Sequence, residues 1–493
     1  MRYNMNAAAR WDELNNKRRS LLTRCEKYAS YTIRKVCLPD GYSENNTELQ
    51  HDFQSVGAQA TRHLVSKLML ALFAPSRPAM RLELDPDAKE QLAAVNMSEA
   101  DIADTLAASE KEAWKGIDRE AGMRPTLYEI LTHLAVVGNV LQDTSGDKMR
   151  AIGLKNYVVK RNQHGKVIEL LTKDCLEFDE LETKVQQVVP NKKPDDKVDF
   201  YRWVRLEGEK YVMTQWVDRQ VLPKNFNGIW PEADLPLRPL TWDLADGNDY
   251  GTGLVEDYQG DFSSLSMLSE ALVTSAILAS EFRWLANPAG MTKPEDMEAS
   301  ENGAVLPGQQ GDLTLVNAGT AQAVPHLQAT SAEYINRIGR GFLLASAVTR
   351  NAERVTAEEI RMQAQELETS LGGAYSRIAV DMQTPLALYL LKKIGFSLKG
   401  KAIRPAIVTG LDALSRASDL DNLKLFIGDL TALGTLPPTI SGLLNMERVI
   451  KAFAAGRGLS SSEYISAGGG APPPAEETAA APAPETPQGD MPQ

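Results

Sequence analysis

Tyr250-Gly251-Thr252-Gly253 and Asn287-Pro288-Ala289-Gly290 bracket the stretch on which the fold turns. Between them, residues 255–286 keep apolar side chains at a spacing that predicts one long helix. At about 1.5 Å per residue it would exceed ~40 Å. Asn287-Pro288 stops it, because proline lacks a backbone donor and disfavours helix in the residue before it. Glycine, proline and short polar runs through residues 291–320 predict a compact non-helical insertion, with Val305-Leu306 and Leu313-Thr314-Leu315-Val316 as strand candidates. A second helix is expected over residues 329–344.

Upstream, Leu14, Leu21, Cys25, Tyr28 and Thr32 recur at helical spacing in a segment that is locally basic. Arg2, Arg10, Lys17, Arg18, Arg19, Arg24, Lys27, Arg34 and Lys35 outnumber Asp12, Glu13 and Glu26, and either dock an acidic partner or form a solvated helix face. Helices are expected over residues 52–73, 98–117 and 126–142. Ser66-Lys67-Leu68-Met69-Leu70-Ala71-Leu72-Phe73 is apolar nearly all round, as suits a helix buried on several sides. From Leu154 to Asp218 runs of Val, Tyr, Trp and Leu, broken at His164-Gly165 and Glu207-Gly208, predict an antiparallel sheet. A proline-rich extended stretch occupies residues 223–239.

Downstream, a polar break at residues 346–354 precedes a capped helix. Thr356 is its N-cap and Glu359 stands three residues on, the spacing of a capping box. Ile360, Ala364, Leu367, Leu371, Ile378, Met382 and Leu386 mark one stripe, which Gly372-Gly373 and Pro385 are expected to kink. Helical signals return over residues 419–433 and 441–455. From Gly468 the Gly, Ala, Pro, Glu and Thr composition cannot bury enough apolar area to offset ordering entropy, so a disordered tail is expected.

The length of 493 residues predicts about three domains. No apolar run approaches the roughly 20 residues of a membrane span, and no signal peptide opens the chain, which places it in the cytoplasm. Cys25, Cys37 and Cys175 form no CxxC pair, so neither a zinc site nor a disulfide framework is indicated, and buried or inert thiols are expected. A net charge of -12 argues against affinity gained by neutralising DNA phosphates over a broad surface.

No catalytic constellation emerges. The chain has no GxxxxGK[ST] loop and no GxSxG elbow, and Glu256 occupies the place of the third glycine after Gly251-Thr252-Gly253. His51, His63, His133, His164 and His326 make no HxxxH or HExxH pair. Asp85-Pro86-Asp87 is explained by turn chemistry as well as by magnesium. Neither a metal nor a cofactor is expected. The basic residues singled out are Arg337 and Arg340 on the second long helix and Arg350 and Arg354 around the polar break, which also holds Thr349 and Asn351. Repeated around a ring, each would become a circle of positive charge facing a passing phosphate backbone.

Five ordered blocks resemble the portal proteins of tailed bacteriophages, most closely the head-to-tail connectors of short-tailed (podovirus-type) phages. They are residues 66–73, Val136-Val137-Gly138-Asn139-Val140-Leu141, residues 287–290, Glu353-Arg354-Val355-Thr356-Ala357-Glu358-Glu359-Ile360-Arg361, and Thr409-Gly410-Leu411-Asp412-Ala413-Leu414 with Asp419-Leu420-Asp421. The similarity spans residues 15–457. One departure is Thr252, where the family often carries a basic residue, which puts a charge-dependent contact at that turn in doubt.

The resemblance implies an α+β, mostly α-helical portal fold assembled as a ring, usually of twelve subunits, at one capsid vertex. Residues 1–254 would be the wing, 255–286 and 329–345 the stem helices, 287–328 the clip and 346–354 the tunnel loop. Residues 355–395 would form a channel-side wing helix, 396–467 the crown and 468–493 the disordered tail. The resemblance further implies a virion protein, assembled in the host cytoplasm, through which double-stranded DNA is packaged and ejected. Its partners would be the terminase packaging motor, major capsid and scaffolding proteins, then tail adaptor and internal core proteins, with no membrane. The competing classes are a non-viral helical scaffold or adaptor without a DNA channel, and a nucleic-acid enzyme whose site one sequence does not reveal.

Overall fold

The computed structural model describes residues 6–42, 48–49, 52–74, 78, 80–84, 99–189, 192–280, 282–317, 323–344, 366–367, 369–395 and 403–407. The chain divides into two units, Met1–Ser415 and Arg416–Gln493, and all described residues belong to the first. Asp85-Pro86-Asp87, the polar break, the Thr356 capping box, the helices expected over 419–433 and 441–455, and the tail lie outside the described residues.

Two helices, Val56–Leu72 and Met123–Val137, hold the centre of the main core. Leu64, Val65, Leu68, Leu127, Ile130, Leu131 and Leu134 are fully buried, as an all-round apolar surface requires. Burial of each such side chain contributes about 1.5–3 kcal/mol. The last carbonyls of a helix have no partner within it. Here three side chains from other elements cover that end: Gln383 Nε2 donates to Leu72 O at 2.7 Å, Arg124 to Phe73 O at 3.3 Å, and Trp114 Nε1 to Ala74 O at 3.0 Å. Trp114 belongs to the helix Glu99–Arg119 and Gln383 to the helix Gly373–Lys393, so both are tied to this core. Pro385 does not end the latter helix, whereas the chain does break at Gly372, whose φ of 52 is left-handed.

The expected sheet is present. Tyr157–Arg161, Val167–Glu177, Lys197–Glu207, Lys210–Val217 and Gln220–Val221 pair antiparallel in that order, with Gly228–Pro231 added beside Lys210–Val217. Gly165 and Gly208 both take positive φ at the predicted hairpins. A second, three-stranded sheet has Asn139–Asp143 between Leu237–Thr241 and Arg150–Ile152. The helix expected over 126–142 therefore ends at Val137, because Gly138 turns left-handed (φ 72) and the chain leaves as a strand. A buried ion pair, Arg202 Nη1 to Asp143 Oδ2 at 2.7 Å, joins the two sheets.

At the N-terminus one amphipathic segment becomes two helices, Ala7–Lys17 and Arg19–Tyr31, broken at Arg18. Arg18 is buried, donates to Leu154 O at 2.6 Å, and lies 5.7 and 5.6 Å from the Trp11 and Tyr250 ring centres. Arg10 is buried against Glu169. These two arginines therefore do not belong to a solvated basic face. Cys25 and Cys37 are buried, whereas Cys175 is exposed.

The decisive stretch divides into three elements: a short helix Leu254–Asp257, a long one Gln259–Ser280, and a strand Phe282–Ala286 in place of the last helical turns. That strand pairs antiparallel with Leu313–Asn317, and its ladder displaces the helical continuation that local spacing favoured. Residues 305–306 are irregular, and Pro294–Glu298 forms a short helix that the insertion's composition concealed. The second long helix runs Ala323–Gly341, earlier than expected, with Pro325 in its first turn, where the missing donor costs nothing.

Candidate functional site

The two long helices meet the rest of the fold through an aromatic joint. The rings of Tyr258 and Phe262 pack edge-on against Phe342, at 5.5 and 5.7 Å between centres, and Tyr31 stacks on Phe262. Gly341 lies so close to Tyr258 that a Cβ there would overlap the phenol ring. Ile338 and Phe342 are fully buried at this end.

Away from the joint the same helices expose apolar side chains to solvent. Met267 is 62% exposed, Val273 50% and Ile277 56%, and Ile335 on the second helix is also exposed. The strand pair continues the pattern with Trp284 and Leu285. A soluble surface rarely leaves so many large apolar groups along one feature unless another protein covers them.

Asp312 organises the insertion. Its Oδ2 accepts from the amides of Gln309, Met291 and Thr292 at 2.9, 3.0 and 3.1 Å and from Thr292 Oγ1 at 3.0 Å. Those amides hold its carboxyl below the usual carboxylate range. Its backbone carbonyl accepts from Asn287 N, and a Cβ at Gly290 would lie 2.7 Å from Asp312 Oδ1. Met291, Thr292 and Gln309 thus cradle the carboxylate, while Asn287 and Gly290 pack closely against the same residue.

A second pair of sequence blocks also meets. Asn139 Nδ2 donates to Gly251 O and Val137 O at 2.7 and 2.8 Å, while Gly251 N donates to Asn139 Oδ1 at 2.8 Å. Side chains are excluded from this contact, since a Cβ at Gly253 would lie 2.7 Å from Gly138 N.

Of the arginines singled out, Arg337 is partly neutralised: its guanidinium is 3.5 Å from Asp261 and 3.2 Å from Glu333, and 4.7 Å from the Tyr334 ring centre. Arg340 is exposed and makes no ion pair among the described residues. Thr349, Arg350, Asn351 and Arg354 lie outside the described residues. Residue-by-residue reading missed Asp312, Asn139 and Lys67. Asp312 and Asn139 each follow a glycine, Asn139 within one of the quoted blocks, and Lys67 is the one charge in an apolar run. Among the described residues no cluster of His, Cys, Asp and Glu has a metal-binding arrangement, and no helix is long and apolar enough to cross a membrane.

A mixed α+β subunit with two paired helices that expose apolar side chains, and no catalytic or metal-binding cluster among the described residues, has the features of a structural protein that neighbours complete. The model of the bacteriophage head to tail connecting protein matches residues 4–465. The portal protein of Enterobacteria phage T3 is 34% identical over 446 residues, covering 87% of this chain and 83% of that one. The portal protein of Escherichia phage T7 is 33% identical, covering 87% and 82%. That of Pseudomonas phage phiKMV is 30% identical, covering 91% and 90%. The chain belongs to the bacteriophage head to tail connecting protein family. It is a portal, a structural component of the virion at the capsid vertex and not an enzyme.

Proposed function

We propose that twelve copies of this chain close into a ring whose central hole passes double-stranded DNA during packaging and ejection. The observation that carries this reading is the exposed apolar flank of the helix pair at Met267, Val273, Ile277 and Ile335. Heterologous contacts repeated about one axis cover such flanks on every copy and leave no free end. On this reading Gln259–Ser280 and Ala323–Gly341 are the stem, the strand pair and residues 287–312 are the clip, residues 346–354 are the tunnel loop, and the sheets with the N-terminal helices are the wing. The terminase motor docks at the clip and supplies the work. Major capsid and scaffolding proteins surround the wing, and tail adaptor and internal core proteins follow.

Within the channel, Arg340, which makes no ion pair among the described residues, supplies a circle of positive charge and Arg337 a weaker one, with Arg350 and Arg354 on the loop. Sparse basic rings on an acidic protein touch phosphates without braking them, since each added phosphate contact strengthens holding. Light scattering and negative-stain images of the purified protein test this: closed rings with a central hole are expected without nucleotide or metal. Monomer mass over a wide concentration range would overturn it.

A further inference from the structure

Lys67 stands in the middle of the apolar run of residues 66–73, and its side chain is only 2% exposed. A buried ammonium is costly unless it is paired and hydrogen-bonded. Its Nζ donates to the Leu343 carbonyl oxygen at 3.2 Å and to Glu366 Oε2 at 3.2 Å. Leu343 lies in the turn that ends the Ala323–Gly341 helix, at φ 57, a left-handed conformation in which a leucine is strained. In that conformation the Leu343 carbonyl accepts from Lys67. Glu366 stands at the far side of residues 345–365. The two partners, 276 and 299 residues away in sequence, thus meet at one ammonium of the Val56–Leu72 helix.

The chemistry of this contact is specific to lysine's neighbours. His63, one turn earlier on the same helix, is held below the usual histidine range by burial and by Lys67, and it shares the Leu343 backbone as a hydrogen-bond partner. Leu343 O and Glu366 Oε2 each offer the ammonium one acceptor.

We propose that Lys67 is a positioning residue. It ties the turn that ends the Ala323–Gly341 helix, and Glu366 further along the chain, to one point of the wing helix, so that the wing holds the chain on both sides of the proposed tunnel loop. This rests on the reading of residues 346–354 as the tunnel loop. The experiment compares assembled parental, Lys67→Met and Glu366→Gln rings by hydrogen exchange of peptides covering residues 339–344 and 366–371. The buried helix Met123–Val137 serves as the internal reference. Exchange at both ends at least about tenfold faster, with the reference unchanged, is expected for either variant. The double variant should exchange no faster than Lys67→Met alone, since one contact is being removed. If Lys67→Met forms no rings, Glu366→Gln decides, because its carboxylate is a third exposed and its loss leaves the core filled. Unchanged exchange, a rise at one end only, or an equal rise in the reference helix would overturn the proposal. DNA retention in proheads is read in parallel. Faster exchange at both ends with parental retention upholds the clamp and removes the tunnel-loop assignment instead.

Discussion

The side-chain amide of Asn139 and the backbone of Gly251 bond to each other in both directions, 112 residues apart in sequence. Asn139 begins the central strand of the three-stranded sheet, and Gly251 precedes the helices that lead away from it. One amide therefore fixes the helix pair to the sheet. Replacing it by alanine leaves two buried carbonyls and one buried N–H without a partner, each costing about 1–3 kcal/mol. Asn139→Asp keeps the bond from Gly251 N but places a carboxylate oxygen against two carbonyl oxygens. Chemical denaturation is expected to show Asn139→Asp more destabilised than Asn139→Ala at pH 7, the gap narrowing as acid protonates the carboxylate.

His133 gives the fold an acid limit. It is buried without a partner for Nδ1, and burial lowers its pKa from 6.5 to about 4. The unfolded chain takes up this proton first, so the neutral imidazole's contribution is complete above about pH 6.5 and is lost as pH falls toward 4. The loss is on the order of 3 kcal/mol. His133→Leu removes the titrating group at similar volume. Melting temperature against pH is expected to be flatter between pH 6.5 and 4 in that variant, with no loss at pH 7.5.

Asp312 makes a local version of the same prediction. Its carboxyl is held below the ordinary range, so its contribution is full above that range and disappears as pH falls through the lowered value. Asp312→Asn turns an NH2 group or a weaker acceptor toward amides that already donate. Trp284 fluorescence and exchange in residues 287–312 are expected to report loosening of the insertion, with the helix Met123–Val137 unaffected.

Ring closure should fail where the apolar flank is made polar. Ile277 is exposed and is not part of the main hydrophobic core, so Ile277→Glu should leave folding intact. Size exclusion with light scattering is expected to show small species in place of rings, at a melting temperature within about 2 °C of the parental subunit for a change this far outside the core.

The proposed channel would separate the arginines by their charge. Arg340→Ala, and Arg350→Ala with Arg354→Ala, should leave rings and proheads normal but reduce DNA retention or packaging, increasingly so at low salt, where phosphate contacts count most. Arg337→Ala should matter less, because Asp261 and Glu333 already compensate its charge. Should Arg354 serve only as a helix pair with Glu358, worth about 0.3–0.5 kcal/mol, the double variant would package and retain DNA as the parent does.

How much of this was legible in the sequence depends on the distance over which each feature is decided. The hairpins at Gly165 and Gly208 and the buried character of residues 66–73 are local, and they stand where spacing put them. The strand Phe282–Ala286 is decided by Leu313–Asn317, so helical spacing alone misread it. Arg18 and Arg10 read as part of a basic face because their partners lie 136 and 159 residues away, and the partner of Lys67, 276 residues away, was equally out of reach. The five blocks that carried the family resemblance included Asn139 and Lys67 without revealing what either touches. The loop arginines are carried by that resemblance and lie outside the described residues.

The close approach of Gly341 to Tyr258 has a mechanical side. With the phenol ring filling the space of any side chain there, the joint at the root of the helix pair has no free volume in which to flex. The Gln259–Ser280 helix, 22 residues or about 33 Å long, is then a cantilever built in at one end. A load applied at the strand pair would then arrive at its root as torque on Tyr258, Phe262 and Phe342, and pass into the core they pack against. Enlarging Gly341 would open that joint and turn a stiff arm into a slack one.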